Sequence, residues 1–295
     1  MFTSTKNYDN EKVNFSNSSF FVIILTGCTH YYYAPNVQNV PLFTGKNEFR
    51  LSGQFGYTVW DLRELGDQQT TCIDLQSAYS LTNNIGLMIN YMTAHEKHRD
   101  EESTISDYGR GNYFEGAIGY YKPVSSNGIF EIYGGVGTSG QHHQYTNSVY
   151  NESSQKYVSQ VAGTSDLTFM KLFVQPSVGF KLNTSGVAFL KSFDIALSTR
   201  LYSINYGKIT STNAEIATEE NFAALSKENH YFIEPALTIR GGWETVKIQF
   251  QLGYAAYLNH SGSYFYKKCH ISLGLYFPLG GKEKKNIEET KELKE

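Results

Sequence analysis

The histidines of this sequence are its best candidates for metal or haem chemistry. Of the 8 histidines, six fall in the predicted long loops or at strand ends beside them: His95, His98, His142, His143, His230 and His260. Imidazole nitrogen suits zinc, copper, nickel and iron. These side chains could bind a transition metal or haem if the stretches converge in the fold. Polar loops also collect histidine without any ligand, so both interpretations stay open, and no other cofactor is predicted.

No catalytic residue is predicted. The sequence contains no Ser/His/Asp order, phosphate-binding loop or metal-hydrolase motif. A lipid hydrolase or acyltransferase needs a nucleophile beside a base, and the candidate hydroxyls Ser77, Thr168 and Thr199 have no adjacent histidine. An acid–base pair of Glu131 with His270 remains an alternative, although a ladder of ion pairs explains such groups more simply.

The elements that must position these groups are long β-strands. From 245 to 258, Val246, Ile248, Phe250 and Leu252 alternate with polar or small residues. A period of two over about thirteen residues is longer than the usual strand and is enough to cross a bilayer. The same pattern recurs ten times and predicts strands at 47–60, 71–80, 85–93, 112–122, 128–140, 167–182, 192–205, 230–240, 245–258 and 264–277.

The connections between these strands alternate between short and long. The predicted long loops are 61–70, 94–111, 141–166 and 206–229. Short turns on one side and long loops on the other are typical of outer-membrane barrels. The sequence therefore predicts an all-β fold, an antiparallel up-and-down transmembrane β-barrel of about 10 strands.

One face of the predicted strands is apolar, and the other is small, polar and charged. The charges of this second face should line the lumen and neutralise each other across it. The predicted lumen ladder comprises Arg50, Asp74, Glu115, Glu131, Lys171, Arg200, Glu234 and Arg240. On the apolar face the exceptions are Lys267, Pro176 and Pro235. Aromatic girdles are expected at Tyr57, Trp60, Tyr202, Tyr231, Tyr257 and Tyr264 above, and at Tyr79, Tyr120, Trp243, Tyr276 and Phe277 below.

Composition supports a membrane barrel and excludes other classes. Among 295 residues, aromatic residues make up 15% and glycines number 26, which suits strands, a narrow interior and interfacial girdles. The net charge of −3 gives no basic field for nucleic acid. The sequence contains no run of about 18 apolar residues, which a membrane-spanning helix would need. Cys72 and Cys269 are predicted on opposite faces, without a disulfide.

Together these patterns resemble the small outer-membrane β-barrel family of Gram-negative bacteria, over about residues 46–279. Phe277 resembles the terminal aromatic residue that the barrel-assembly machinery recognises in that family. The resemblance implies outer-membrane lipids and that machinery as partners, no nucleic acid, and a monomer. It implies a location in the bacterial outer membrane, with extracellular loops and both termini periplasmic.

The N-terminal region resembles a bacterial lipoprotein. An apolar run ends in Leu25, Thr26, Gly27 and Cys28, which is similar to a lipobox, whose cysteine is acylated. The apolar core is shorter than that of a typical signal peptide, and a buried free Cys28 is the alternative. The predicted organisation is a signal segment at 1–27, a lipidated tether at 28–45, the transmembrane β-barrel at 46–279 and a charged periplasmic tail at 280–295. The tether should be extended, with its tyrosines either at the lipid headgroups or under the barrel.

Three functions are compatible with these features. The leading hypothesis is a non-enzymatic outer-membrane barrel with a structural or surface-binding role and an unidentified ligand. The alternative is a narrow channel or transport component for small solutes, although ten strands lie near the size at which side chains fill the lumen. The third is a lipid-modifying outer-membrane enzyme.

Overall fold

The strands close into one antiparallel barrel. A computed structural model describes residues 31–59, 70–99, 106–151, 155–183, 191–259 and 264–280. The elements are β1 (Phe49–Val59), β2 (Thr70–Ser80), β3 (Ile85–Arg99), β4 (Ser106–Pro123), β5 (Gly128–Asn151), β6 (Lys156–Asn183), β7 (Ser192–Ser211), α1 (Ala214–Glu219), α2 (Phe222–Leu225), β8 (Asn229–Gly242), β9 (Lys247–Tyr254), β10 (Ala256–Tyr257) and β11 (Cys269–Leu279). Each strand up to β8 pairs with the next, β9 pairs with β8 and β11, and β11 pairs with β1. The short β10 continues β9 along β8, so β9 and β10 count as one strand of the wall. The wall therefore has ten strands in this sense, which we call staves, and the predicted fold is confirmed.

The alternation along each stave separates an apolar outside from a polar inside. On β9, Ile248 is 59% exposed, whereas its neighbour Gln249 is fully buried. Successive side chains of a strand point to opposite faces, so one polar residue in two is enough to build a polar lumen. The same separation appears on β1, where Leu51 is exposed and Ser52 is buried.

Several predicted loops are extensions of the strands. The predicted loop at 141–166 is mostly a hairpin of β5 and β6, whose pairing continues to Asn151 and Lys156. Inside this hairpin the Tyr145 and Ser165 hydroxyls lie 3.0 Å apart. The predicted loop at 94–111 is likewise mostly strand, up to Arg99 and from Ser106. Loop predictions failed here because a ladder of backbone hydrogen bonds continues through polar side chains as well as apolar ones.

The two ends of the barrel differ. The long-hairpin end carries the β3–β4 and β5–β6 extensions and the helices α1 and α2, while the short-turn end carries the β2–β3, β4–β5 and β8–β9 connections. The side chain of Asn213 caps α1 by accepting the Glu215 N–H at 2.9 Å. Neither helix of the described chain is long and apolar enough to cross a membrane.

The segment before β1 lies inside the barrel. From Tyr32 to Phe43, every residue except the half-buried Ala34 is buried. Tyr33 forms a bridge with Tyr266 at the long-hairpin end, and the Asn47 N–H donates to Ser80 at the short-turn end. The prediction of a tether outside the barrel therefore does not describe these residues. We call residues 32–43 the lumen segment.

Because the lumen segment crosses the barrel, the two ends of the described chain lie at opposite ends of the barrel. Tyr31 lies at the long-hairpin end, where the ammonium of Lys267 stands 3.5 Å from its ring centre. Leu279 pairs with Phe49 at the short-turn end. The expectation that the chain enters and leaves the barrel on one side does not hold for residues 31 and 279. Residues 1–30, which include the predicted lipobox, and 281–295 of the predicted tail lie outside the described residues.

The last stave is shorter than predicted, which moves several side chains inward. Lys267 was expected on the apolar face, but it is fully buried and its ammonium lies 3.0 Å from Glu96 Oε1. The reason is that the strand begins only at Cys269, because residues 265–267 leave the ladder and bond to Tyr32 and Tyr33 of the lumen segment. Tyr202 and Tyr276, expected in the girdles, are buried for another reason: they share the inward face of β7 with Arg200 and of β11 with Ser272. Tyr264, also expected in the girdles, is buried too.

The two prolines remain on the outer face, where they were predicted. The pairing of β6 with β7 is interrupted between Val174 and Ser177, around Pro176, because proline has no N–H to donate. Pro235 faces Thr199 of β7. The wall accommodates both residues without a register shift.

Candidate functional site

The candidate site is the filled lumen, because the charges, the amide side chains and the lumen segment meet there. All eight residues of the predicted ladder are at most 4% exposed. Their alternate positions on the strands direct them inward, as the period-two pattern predicts. Most of them, however, form hydrogen bonds or ion pairs with residues outside the predicted ladder, many of them in the lumen segment.

The centre of the lumen is an ion-pair cluster around Glu115. Arg200 Nη2 lies 3.1 Å from Glu115 Oε1, and Lys171 Nζ lies 3.9 Å from Oε2. The Tyr113 hydroxyl donates to Glu115 at 2.5 Å. Asn36 of the lumen segment joins the cluster, since its amide donates to Glu115 and its oxygen accepts from Arg200 at 2.9 Å. Buried charges need such complete pairing, because an uncompensated buried charge is strongly destabilising.

The carboxylates of the other ladder residues mainly hold the lumen segment. Asp74 accepts the Val37 N–H at 3.2 Å. Glu131 accepts the Phe43 N–H at 3.0 Å. Glu234 accepts from the Gln38 side chain at 3.3 Å. The sequence indicated a charge ladder, but the structure shows a cradle for a peptide.

Neutral side chains complete this cradle. Gln76 Nε2 donates to the Val37 carbonyl at 2.8 Å, and Gln175 Nε2 donates to the Asn39 carbonyl at 2.7 Å. The amide of Gln251 accepts the Gln38 N–H at 2.7 Å and donates to the Gln38 carbonyl at 2.9 Å. Extended backbone buried away from water needs such partners.

A second set of charges lies near the short-turn end. Lys247 Nζ donates to both oxygens of Asp194, at 2.8 and 2.7 Å. Arg50 pairs with Glu48 and also donates to the Pro41 carbonyl at 3.2 Å. Asp194 and Glu48 were missing from the predicted ladder, although both occupy inward positions in the alternating pattern.

Arg240 is the third cation of this set near the short-turn end. Its guanidinium carbon stands 3.8 Å from the Tyr276 ring centre, and its Nε donates to Gln249 Oε1 at 2.6 Å. The Tyr276 hydroxyl in turn donates to the Pro41 carbonyl at 2.8 Å. The wall therefore holds the lumen segment near its end through side chains that are themselves fixed.

Apolar and aromatic contacts anchor both ends of the lumen segment. At the short-turn end, Phe43 packs with Tyr121, Tyr133 and Met88. At the long-hairpin end, Tyr32 and Tyr33 belong to a large aromatic cluster. There the Tyr206 hydroxyl donates to the Tyr32 carbonyl at 2.7 Å. The segment is thus fixed at both ends and hydrogen-bonded between them.

The predicted loop histidines do not form one site among the described side chains. His142 lies 2.8 Å from Asp166 on one face of β5, while its neighbour His143 is buried on the other. His95 is exposed, 3.5 Å from the Tyr108 hydroxyl. The side chains of His98 and His260 lie outside the described residues. In the described part of the chain, no three His, Cys, Asp or Glu side chains come close enough to hold a metal. Metal or haem binding stays a prediction.

The alternative acid–base pair is not assembled. Glu131 binds the Phe43 N–H, whereas His270 Nε2 lies 4.0 Å from Asp74 Oδ2. Each group is therefore beside a different partner from the one considered. Cys72 and Cys269 are buried free thiols.

Comparisons with known proteins return outer-membrane barrels at low similarity. No family model matches the chain, and no curated protein matches it. The outer membrane protease OmpT from Escherichia coli has 10% identity and a TM-score of 0.39, covering 80% of this chain and 98% of its own. The NanC porin has 11% identity and a TM-score of 0.34, covering 78% and 100%. LpxR from Salmonella typhimurium has 8% identity and a TM-score of 0.37, covering 78% and 99%. The closed barrel itself follows from the strand pairing of this chain.

Proposed function

We propose that this chain is a non-enzymatic β-barrel of the bacterial outer membrane, with a closed lumen and a structural or surface-binding role. The observation that carries the proposal is its outer surface. Every stave contributes exposed apolar side chains, among them Leu75 on β2, Ile118 on β4 and Leu197 on β7, which is 65% exposed. A water-soluble protein rarely exposes so large an apolar surface, whereas a closed barrel in lipid satisfies both its apolar face and its backbone.

Aromatic side chains at both ends of the wall support this location. Tyr57 and Tyr231 are exposed near the long-hairpin end, and Tyr79, Tyr120 and Trp243 are exposed near the short-turn end. Aromatic girdles mark the two interfaces of outer-membrane barrels. The separation of the two groups along the strands fits one bilayer between them.

The filled lumen favours a closed barrel over a channel. The lumen segment passes from one end to the other and is buried along its length. We therefore propose that the intact chain does not conduct small solutes and that its interactions occur at the hairpins. Long polar extensions on a rigid scaffold are common sites of binding.

The test of this proposal combines two measurements on the purified full-length protein. Heat-modifiable gel mobility is expected, because a closed barrel resists detergent until boiled. In planar bilayers the same protein should show no steady conductance. A soluble protein without a mobility shift would refute the membrane barrel, and stable channels would refute the closed lumen.

Labelling should reveal the orientation of the barrel. Lys46 near the short-turn end and Lys208 on the β7 extension are both exposed, whereas Cys72 and Cys269 are buried. In a Cys28→Ser background, a membrane-impermeant maleimide should label Lys208→Cys in intact cells and Lys46→Cys only after permeabilisation. The reverse result would place the long hairpins in the periplasm.

The position of Tyr31 supports a proposal for the side of the membrane on which the predicted lipid of Cys28 lies. Cys28 precedes Tyr31 by three residues, which span at most about 11 Å of extended chain. Since Tyr31 lies at the long-hairpin end, we propose that the acyl chains enter the leaflet on that side. Alkyne fatty acid should label the protein but not its Cys28→Ala variant. With a protease site inserted after residue 30, external protease should remove this label from the barrel in intact cells. Removal only after permeabilisation would place the lipid on the opposite side.

A further inference from the structure

The lumen recognises its segment largely through the peptide backbone. Asp74 and Gln76 of β2 bind the N–H and the carbonyl of Val37. From another part of the wall, Gln251 of β9 binds the N–H and the carbonyl of Gln38. Neighbouring residues of an extended chain turn their backbone groups to opposite sides. These two pairs of contacts therefore fit a peptide in extended conformation.

Two notches in the wall accept apolar side chains. A Cβ at Gly179 would collide with Leu42, and one at Gly86 would lie 2.9 Å from the ring of Phe43. Leu42 fills the space at Gly179, and Phe43 fills the space at Gly86 together with the Tyr133 hydroxyl of the wall. The notches add a side-chain requirement to the recognition of the backbone.

The wall also binds the amide side chains in the middle of the segment. The Asn39 amide donates to Asn90 at 2.8 Å, and the Gln38 amide donates to the Glu234 carbonyl at 2.6 Å. The lumen also retains spare acceptors. Asp74 Oδ2 and Glu131 Oε2 are buried and accept no hydrogen bond from any described residue.

We propose that the lumen is a binding tunnel for an extended polypeptide in which an amide-rich stretch precedes two consecutive apolar residues. Residues 32–43 are its ligand in cis, and the tunnel binds the same sequence in trans once the covalent link is cut. The segment is fixed by contacts that a separate peptide can make equally well, since none of them depends on the connection to β1.

The test uses the full chain with a specific protease site inserted between Lys46 and Asn47, both exposed. After cleavage, a synthetic peptide of residues 31–46, labelled on its final lysine, is added to the micellar protein. Fluorescence anisotropy should rise as the peptide replaces the cleaved segment, and unlabelled peptide should reverse the rise. A barrel that keeps its heat-modifiable band but takes up no peptide overturns the proposal.

Two controls separate specific recognition from adhesion to the barrel. A peptide N-methylated at Val37 and Gln38 loses two donors and should compete about tenfold less well or worse, because unmade buried hydrogen bonds are costly. In the wall, Gln251→Leu should weaken uptake similarly. Ser272→Ala on β11 is the control, because the buried Ser272 hydroxyl donates to Gln54 rather than to the segment, and it should weaken uptake less than about threefold. Equal competition by the methylated peptide, or equal effects of the two wall variants, overturns the proposal.

If cleavage unfolds the barrel, peptide is added while the cut chain refolds. Recovery of the heat-modifiable band with the native peptide but not with the methylated peptide supports the tunnel. Failure of the native peptide to restore the band, or equal recovery with both, overturns it.

Discussion

Filling the Gly179 notch should open the lumen. Gly179 lies on β6 opposite Ala196, and the side chain of Leu42 occupies the space where a Cβ would stand. A valine at this position cannot coexist with Leu42 in its present place. Because Leu42 is fully buried, we expect Gly179→Val to expel it and to loosen the adjoining end of the lumen segment.

The magnitude follows from the burial of Leu42. Leaving a fully buried leucine exposed costs about 1.5–3 kcal/mol, and overpacking a filled site costs about 1–3 kcal/mol. At about 1.4 kcal/mol for each factor of ten, the equilibrium between the seated and the displaced segment should shift by about tenfold to a hundredfold. Such a shift converts rare openings of the lumen into frequent ones.

Single-channel recording in planar bilayers measures these openings. The matched control is Gly53→Val on β1, where a Cβ would meet Leu75 at an ordinary 3.5 Å. We expect brief conductance events from Gly179→Val and none from Gly53→Val or the unaltered chain. A silent Gly179→Val variant that retains its heat-modifiable band would refute the conclusion that this notch holds the segment.

Two further predictions concern the wall and its charges. Arg200→Leu should lower the free energy of unfolding by about 3–5 kcal/mol, because among the described side chains it leaves the buried carboxylate of Glu115 with one cationic partner, the more distant Lys171, beside neutral hydrogen-bond donors. Urea unfolding in lipid vesicles measures this loss, and the combination with Glu115→Gln should cost less than the sum of the single changes; additive losses would contradict the pairing. On the outer face, Leu273→Lys near the middle of β11 should cost about 2–4 kcal/mol, whereas Leu279→Lys at its end should cost about 0–1 kcal/mol. Equal losses would argue against a lipid contact at Leu273.

The inward or outward direction of each wall side chain can be predicted from the sequence, because it depends only on the alternation along its own strand. Side chains alternate across any strand, so Ile248 and Gln249 reveal their faces without knowledge of their neighbours. The same rule predicts Asp74, Glu115 and Arg200 inside the barrel without any information on strand pairing. Ten repetitions of this pattern, with alternating connections, were enough to predict a closed antiparallel barrel.

Local patterns also misled where the ladder ends or continues unexpectedly. The alternation from 264 to 277 predicts Lys267 outside, but residues 265–267 leave the strand to contact Tyr32 and Tyr33. Conversely, the polar hairpin of β5 and β6 has no apolar face to reveal it, and only backbone pairing extends it to Asn151.

What fills the lumen depends on contacts between distant parts of the chain. The lumen segment has no period, and its two prolines favour an extended chain without specifying its location. Its partners are remote: Val37 binds a carboxylate 37 positions away, and Gln38 binds an amide 213 positions away. The amino-acid pattern alone is sufficient to assign an inner and an outer face to each strand, because that assignment follows from the strand's own geometry. Closure of the wall brought distant staves around one peptide and turned the inward charges into its binding groups.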